Sequence, residues 1–201
     1  GGALSKRDST FLLDLEDSEQ IDRLFQAACH LRTKHFGNEI FLYGFIYAST
    51  YCRNDCSFCF FRRSNPDSRR YRKATPEIVA AARRLADSGV HLIDLTMGED
   101  SGSFQYLPEI VSRVKKDTVL PIIISPGVIP NSVLKQVKKT GAQWYACYQE
   151  TFQRDLYDKL RIGQSFDDRI AVKKSAKAMG MLVEEGILCN VGETIDELTV
   201  C

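Results

Sequence analysis

The sequence YCRNDCSFCFF at residues 51–61 places three cysteines in CxxxCxxC spacing between aromatic side chains. Cys52, Cys56 and Cys59 are close enough along the chain for their thiolates to bind one metal centre. The ligand number favours an iron–sulfur cluster over structural zinc, because structural zinc takes four protein ligands and no His or fourth Cys lies nearby. A 4Fe-4S cluster with three cysteine ligands leaves one iron open to a small molecule. A zinc knuckle and three unrelated buried thiols are the alternatives.

Composition and charge limit the classes of function. The 201 residues fit one ordinary domain, and 44% of them are apolar, as in a globular protein. The 27 Lys and Arg nearly balance the 26 Asp and Glu, so net charge favours neither nucleic acid nor a membrane surface as a partner. The apolar runs are shorter than a membrane span, and the first residues lack the apolar core of a signal peptide. The balanced charge suits a small polar ligand better. Because the seven cysteines do not resemble a secreted disulfide framework, we expect a cytoplasmic protein.

Three segments surround the cysteine motif. The apolar period of 18–36, with Gly37 after it, predicts a helix. The apolar run IFLYGFIYAST, residues 40–50, predicts a strand buried on both faces of a parallel sheet, and the cysteine segment leaves its C-terminal end. The basic run at 62–73 is interpreted either as an exposed surface segment or as a lid.

Helices and strands then alternate from Thr75 onward. The predicted helices are 76–88, 107–115, 131–140 and 166–179, and the predicted strands are 91–96, 121–125, 143–148 and 182–188. This alternation predicts a parallel sheet that curls into a barrel or partial barrel. In such folds, ligands bind at the C-terminal ends of the strands.

Charged residues at the predicted strand ends are candidate ligand contacts. A carboxylate within a buried strand, such as Asp94, needs a partner, either a ligand ammonium or hydroxyl or a neighbouring basic residue. For Asp100, ligand contact is as consistent with the pattern as the alternative, which is a cap on the following helix or a pair with a neighbouring basic residue. Glu150 and Arg169, with Arg161 as a further candidate, could bind an amine, a ribose hydroxyl or a carboxylate. Surface salt bridges are the alternative for this group.

CxxxCxxC with an aromatic residue before the last cysteine, at the end of the first strand of a βα repeat, resembles the radical S-adenosylmethionine (SAM) superfamily. The resemblance implies that a 4Fe-4S cluster on Cys52, Cys56 and Cys59 binds SAM at its open iron. One electron then cleaves SAM to methionine and a 5′-deoxyadenosyl radical that abstracts hydrogen. It also implies a SAM site formed by Met97, Gly98, Glu99, Ser125, Tyr148, Glu150, Arg161 and Arg169, and contact of Asp94 with the substrate.

The segment FGNEIFLYGFIYASTYCRNDCSFCFF, residues 36–61, resembles the branch that contains biotin synthase and a hydrogenase maturase. Within it, LTMGED, PIIISPG, YQETF, KLRIGQSFDDR and VEEGIL look most like the family that isomerises L-lysine to (3R)-3-methyl-D-ornithine, the first step of pyrrolysine biosynthesis. This implies L-lysine as substrate, a reducing donor such as a flavodoxin or ferredoxin, and no nucleic-acid or membrane partner. The alternatives are another reaction of the same branch, or a non-catalytic metal-binding module whose basic run contacts nucleic acid.

The expected fold class is therefore α/β, with an N-terminal helical extension at 1–39 and a partial (β/α) barrel of the radical SAM type at 40–201. Members of the resembled family continue beyond the fifth strand. The sequence lacks an initial Met and ends at Cys201 within a predicted new helix, so we expect a fragment. Its other cysteines are expected to be ordinary thiols: Cys29, Cys147, Cys189 and Cys201.

Overall fold

The computed structural model describes residues 4–199, and the prediction for Cys201 lies outside that range. Within the described residues, eight α-helices and five β-strands form. The helices are α1 (Lys6–Leu13), α2 (Ser18–Phe36), α3 (Thr75–Asp87), α4 (Leu107–Thr118), α5 (Asn131–Thr140), α6 (Arg154–Leu160), α7 (Phe166–Ala178) and α8 (Ile195–Leu198). The strands are β1 (Tyr43–Ser49), β2 (Leu92–Met97), β3 (Ile122–Ser125), β4 (Trp144–Ala146) and β5 (Leu182–Glu184). A short 3-10 helix, Phe104–Tyr106, precedes α4.

The five strands form one parallel sheet in the order β1-β2-β3-β4-β5. Each strand therefore pairs with its neighbour in sequence, as in a barrel wall. On the outward face of β2 and β3, the side chains of Ile93, Leu95 and Ile124 are at most 1% exposed and pack with the apolar faces of α3, α4, α5 and α7. This arrangement confirms the predicted α/β fold with five parallel strands.

The opposite face of the sheet is exposed at β1, whereas Leu92, Ile123 and Ala146 of the next strands are buried on it. Ile46 and Ala48 of β1 are buried on the helix side, whereas Phe45 and Tyr47 on the other side are 57% and 37% exposed. The prediction that this strand is buried on both faces is therefore wrong, because Phe61 of the cysteine segment contacts Tyr47 but the side chain of Phe45 stays largely exposed. We call this surface the inner face of the sheet. It also carries Asp94 and Ser125, which alternate with the core residues.

Sequence signals placed several helix ends correctly. Helix α2 has the predicted bounds, with Asp17 accepting the hydrogen bond of Gln20 N and Gly37 ending the helix at φ 61°. Helix α5 also matches. Strands β4 and β5 are shorter than predicted, because their regular ladder ends at Ala146 and Glu184 and pairing resumes only as a single bridge between Glu150 and Ile187. Glu150 adopts a left-handed φ of 69°. Helix α6, which the sequence pattern did not predict, buries Leu156, Tyr157 and Leu160. Of the helices in the described range, none combines the length and apolar composition that a membrane crossing requires.

Candidate active site

A cavity of about 240 Å³ lies at the C-terminal ends of the strands and is lined by all three clustered cysteines. Cys56 is buried, while Cys52 and Cys59 are partly exposed. The other residues predicted to bind a cofactor also line it: Met97, Gly98, Glu99, Ser125, Tyr148, Glu150, Arg161 and Arg169. Five separate segments of the sequence thus meet around one space.

The cysteine segment is seated directly against the end of β2. The backbone N–H of Arg53 donates to Glu99 O at 3.1 Å, and Gly98 N donates to Ser49 O at 2.9 Å. A Cβ atom on Gly98 would lie 2.2 Å from Tyr51 O, which is far closer than a normal contact. Glycine at this position therefore lets the loop that carries the first cysteine approach the second strand.

Nitrogen donors face the thiols. Gln164 Nε2 lies 3.0 Å and Arg161 Nη1 lies 3.6 Å from Cys56 Sγ, while Asn54 N lies 3.5 Å from Cys52 Sγ. Burial raises the pKa of the Cys52 thiol, although the Asn54 and Glu99 backbones act in the opposite direction. Donors of this kind stabilise a thiolate, the form of cysteine that binds iron.

The three thiols line a cavity and do not form a site for a single metal ion. Within residues 4–199, no three His, Cys, Asp or Glu side chains are arranged to hold a single metal ion. The donor set does fit a thiolate-bound cluster, since three sulfur atoms line one cavity, N–H groups are aimed at two of them, and Phe58 and Phe61 supply an apolar wall. The open part of the cavity extends from the thiols towards the ends of β3 and β4.

Glu150 and Arg161 form a buried ion pair in this cavity. Arg161 Nη2 lies 2.5 Å from Glu150 Oε1 and also donates to Tyr148 O at 2.8 Å. Burial raises the pKa of Glu150, and the charges of Arg161 and Arg169 oppose that rise. The sequence grouped Glu150 with Arg169, but the direct partner of Glu150 is Arg161.

Arg169 donates hydrogen bonds to a different set of side chains. Its guanidinium donates to Cys147 Sγ at 3.0 Å, Gln164 Oε1 at 2.8 Å and Glu99 Oε2 at 3.3 Å. The Glu99 carboxylate also accepts Arg53 Nε and Val128 N. Arg169 Nε, like Arg161 Nε, is buried and donates to no described residue. Two cationic N–H groups therefore lack an acceptor within the described structure.

Asp94 lies beneath the cavity on the inner face and is 2% exposed. Thr96 Oγ1 and Ser125 Oγ both donate to its Oδ1, at 2.9 and 3.0 Å, while its Oδ2 accepts no hydrogen bond from the described residues. No described basic side chain pairs with it, so the neighbouring-cation alternative is wrong. Burial raises the Asp94 pKa, which the two hydroxyls partly oppose.

Asp100 pairs with a basic residue, Arg72, which is one of the alternatives that the sequence left open for it. Its buried carboxylate accepts hydrogen bonds from Ser49 Oγ, Ser103 Oγ and the Arg72 guanidinium, at 2.7 to 3.0 Å. Burial alone would raise the Asp100 pKa, but these hydrogen bonds outweigh burial and lower it. The hydrogen bonds of this carboxylate thus connect the basic run at 62–73 to the ends of β1 and β2. The interpretation of that run as a solvated segment fails for Arg70, whose guanidinium donates to backbone carbonyls, while Arg72 pairs with Asp100 and keeps half of its side chain exposed.

Two residues of the site were missed from the sequence. Cys147, expected to be an ordinary thiol, lines the cavity and accepts from Arg169. Gln164 joins Cys56 to both Arg161 and Arg169. The only sequence signal for Gln164 was its place in KLRIGQSFDDR, whereas Cys147 carried no signal beyond its position at a strand end.

Comparison with known proteins gives the class. The family model described as the radical SAM superfamily matches residues 46–200, and the chain belongs to that superfamily, whose members use a 4Fe-4S cluster and SAM. The chain is similar to 3-methylornithine synthase of Methanosarcina barkeri, with 44% identity over 98% of this chain and 57% of the relative. It is 32% identical to the [FeFe] hydrogenase maturase subunit HydE of Thermotoga maritima, over 92% of this chain and 54% of the relative. The crystal structure of methylornithine synthase (PylB) superposes with a TM-score of 0.93 at 43% identity, covering 98% of this chain and 59% of that one. The chain therefore spans little more than half the length of these relatives.

Proposed function

We propose that this protein is a radical SAM isomerase that converts L-lysine to (3R)-3-methyl-D-ornithine, the first step of pyrrolysine biosynthesis. The observation that carries the proposal is the single cavity that holds three thiols at one end and the paired Glu150 and Arg161 beside them. The 44% identity to 3-methylornithine synthase supports the choice of reaction.

Cys52, Cys56 and Cys59 would hold the 4Fe-4S cluster. When reduced, this cluster supplies the electron that cleaves SAM to methionine and a 5′-deoxyadenosyl radical. Gln164 and Arg161 donate towards Cys56 Sγ and would stabilise its thiolate charge. Phe58 and Phe61 would keep water from the cluster side of the cavity.

The remaining lining residues would bind SAM. SAM presents an ammonium, a carboxylate and ribose hydroxyls, and the cavity offers both charge signs to them. Arg161 and Arg169 both line the cavity, so their positive charges would attract the SAM carboxylate. Met97, Gly98 and Glu99 line the cavity at the end of β2, and Ser125 and Tyr148 line it at the end of β3 and just after β4.

Asp94 would bind an ammonium group of L-lysine. Its Oδ1 is occupied by Thr96 and Ser125, which orient the carboxylate and leave Oδ2 for the ligand. A buried carboxylate without a cation is costly, and a substrate ammonium would offset that cost. Holding the substrate in a fixed pose would also keep its fragments in position to recombine.

The experiment uses the full-length protein, purified and reconstituted with iron and sulfide without oxygen. Incubation with SAM, a reductant and isotopically labelled L-lysine should give 5′-deoxyadenosine and labelled methylornithine by mass spectrometry. Absence of 5′-deoxyadenosine would refute the radical reaction. 5′-Deoxyadenosine without methylornithine, together with turnover of another compound in a substrate panel, would refute only the substrate and favour another reaction of the same branch, as the similarity to HydE allows.

The other elements of the proposal concern context. Residues 1–39 would form a helical extension and 40–201 a partial radical SAM barrel. The protein would work in the cytoplasm, where a reducing environment protects the cluster, and would take electrons from a flavodoxin or ferredoxin. The alternative of a nucleic-acid-binding metal module predicts one zinc and no iron per chain after anaerobic purification. Within the basic run, Arg70 donates to backbone carbonyls, whereas Arg63 and Arg69 are exposed.

A further inference from the structure

One guanidinium joins the two ends of the segment that carries the cysteines. Arg70 Nη1 donates to Thr50 O at 2.6 Å and to Phe61 O at 2.8 Å, and its Nη2 donates to Arg62 O at 2.6 Å. Thr50 lies two residues before Cys52, and Phe61 lies two residues after Cys59. Arg70 therefore closes the loop that contains all three thiols.

The backbone next to Arg70 is fixed because it pairs with Thr50, the residue that follows β1. Tyr71 N donates to Thr50 Oγ1 at 3.0 Å, and Thr50 N donates to Tyr71 O at 3.1 Å. Arg72 then pairs with Asp100 through two hydrogen bonds. The guanidinium thus extends from a rigid base into the loop, and its planar fork matches three carbonyl oxygens that a single ammonium could not reach together.

We propose that Arg70 is a positioning residue that holds the cysteine loop in its cluster-binding conformation. The inference rests on the proposed cluster site. A loop of this length is costly to order without cross-links, because its backbone entropy must be lost when it closes. With Arg70 in place, the three thiols are arranged before iron arrives, so Arg70 would slow loss of iron without touching the cluster.

The test measures iron release from the reconstituted full-length protein to an excess of a ferrous chelator, under anaerobic conditions. The variants are Arg70→Lys, which keeps the charge but not the fork, and Arg70→Gln. Arg69→Lys is the matched control, because the side chain of Arg69 is exposed on the same segment. We expect iron release on the order of tenfold faster in both Arg70 variants, and an unchanged rate in Arg69→Lys.

A second measurement separates positioning from a general folding defect. The melting temperature of the cluster-free protein, followed by circular dichroism, should be the same in all four proteins. Equal release rates for wild type and the Arg70 variants would overturn the inference, as would a rate in Arg70→Lys equal to wild type while Arg70→Gln is fast, since charge alone would then explain the effect. A fall in melting temperature that accounts for the faster release would also overturn it. If the wild type takes up no iron and sulfide, the proposed cluster site itself fails, a result distinct from these.

Discussion

Replacing Gly98 by Ala should disrupt the cysteine loop. The added Cβ would lie 2.2 Å from Tyr51 O and 3.0 Å from Cys52 Cβ, so the first contact falls about 0.8 Å short of the 3.0 Å below which Cβ contacts essentially never occur. Both contacts are with the segment that positions the first thiol. Backbone shifts of this kind typically cost about 1–3 kcal/mol of stability.

Gly102→Ala is the matched control for this change. A Cβ on Gly102 would have its nearest neighbours, Arg72 Nη2 and Asp100 Oδ1, at 3.5 Å, an ordinary van der Waals distance. Urea unfolding of the cluster-free protein gives the free energy of unfolding, and iron and sulfide analysis after reconstitution gives cluster occupancy. We predict that Gly98→Ala lowers both, whereas Gly102→Ala leaves occupancy unchanged. If Gly98→Ala matches the control in both measurements, the cysteine loop does not rest against the end of β2 as described.

Three further predictions concern individual side chains. Asp94→Asn should retain SAM cleavage but lower product formation on the order of a hundredfold, since losing one partner of a buried charge pair costs about 2–5 kcal/mol; unchanged product yield would exclude substrate contact. Burial raises the Asp94 pKa, so the stability that protonated Asp94 contributes is present at low pH and is lost as the pH rises through that pKa. Asp94→Asn should therefore increase the free energy of unfolding at neutral pH and leave the free energy of unfolding unchanged at acid pH. Gln164→Leu should lower the reduction potential of the cluster in an EPR redox titration. The substitution removes the 3.0 Å hydrogen bond to Cys56 Sγ, which stabilises the reduced cluster with its additional negative charge. An unchanged potential would show that this contact is absent in the loaded protein.

Much of the fold followed from local signals in the sequence. The helical periods and the glycines after them placed α2 and α5 at their observed bounds, and the alternation of elements predicted the parallel sheet. The general location of the candidate site followed from one rule, that polar residues at the C-terminal ends of parallel strands meet at one edge. That rule and the charge pattern grouped Glu150 with the strand ends, whereas Ser125 and Tyr148 were assigned only through the resemblance to the radical SAM superfamily.

The contacts that the sequence could not predict depend on side-chain direction. Nothing in the charge run at 62–73 distinguishes Arg70, which turns into the loop, from Arg69, which faces solvent. Glu150 was grouped with Arg169, although the left-handed backbone at Glu150 directs its carboxylate to Arg161. The apolar run of β1 was taken as buried on both faces, because sequence pattern reports the character of a side chain and not whether another element covers it.

Iron and acid-labile sulfide in the reconstituted full-length protein test the central claim most directly. The wild type and Cys189→Ala, which removes an exposed thiol, should each contain about four of both per chain, and Cys52→Ala, Cys56→Ala and Cys59→Ala should each lose the cluster and SAM cleavage. Zinc without iron in the anaerobically handled wild type, or SAM cleavage at the wild-type rate in any of the three cysteine variants, would contradict the assignment.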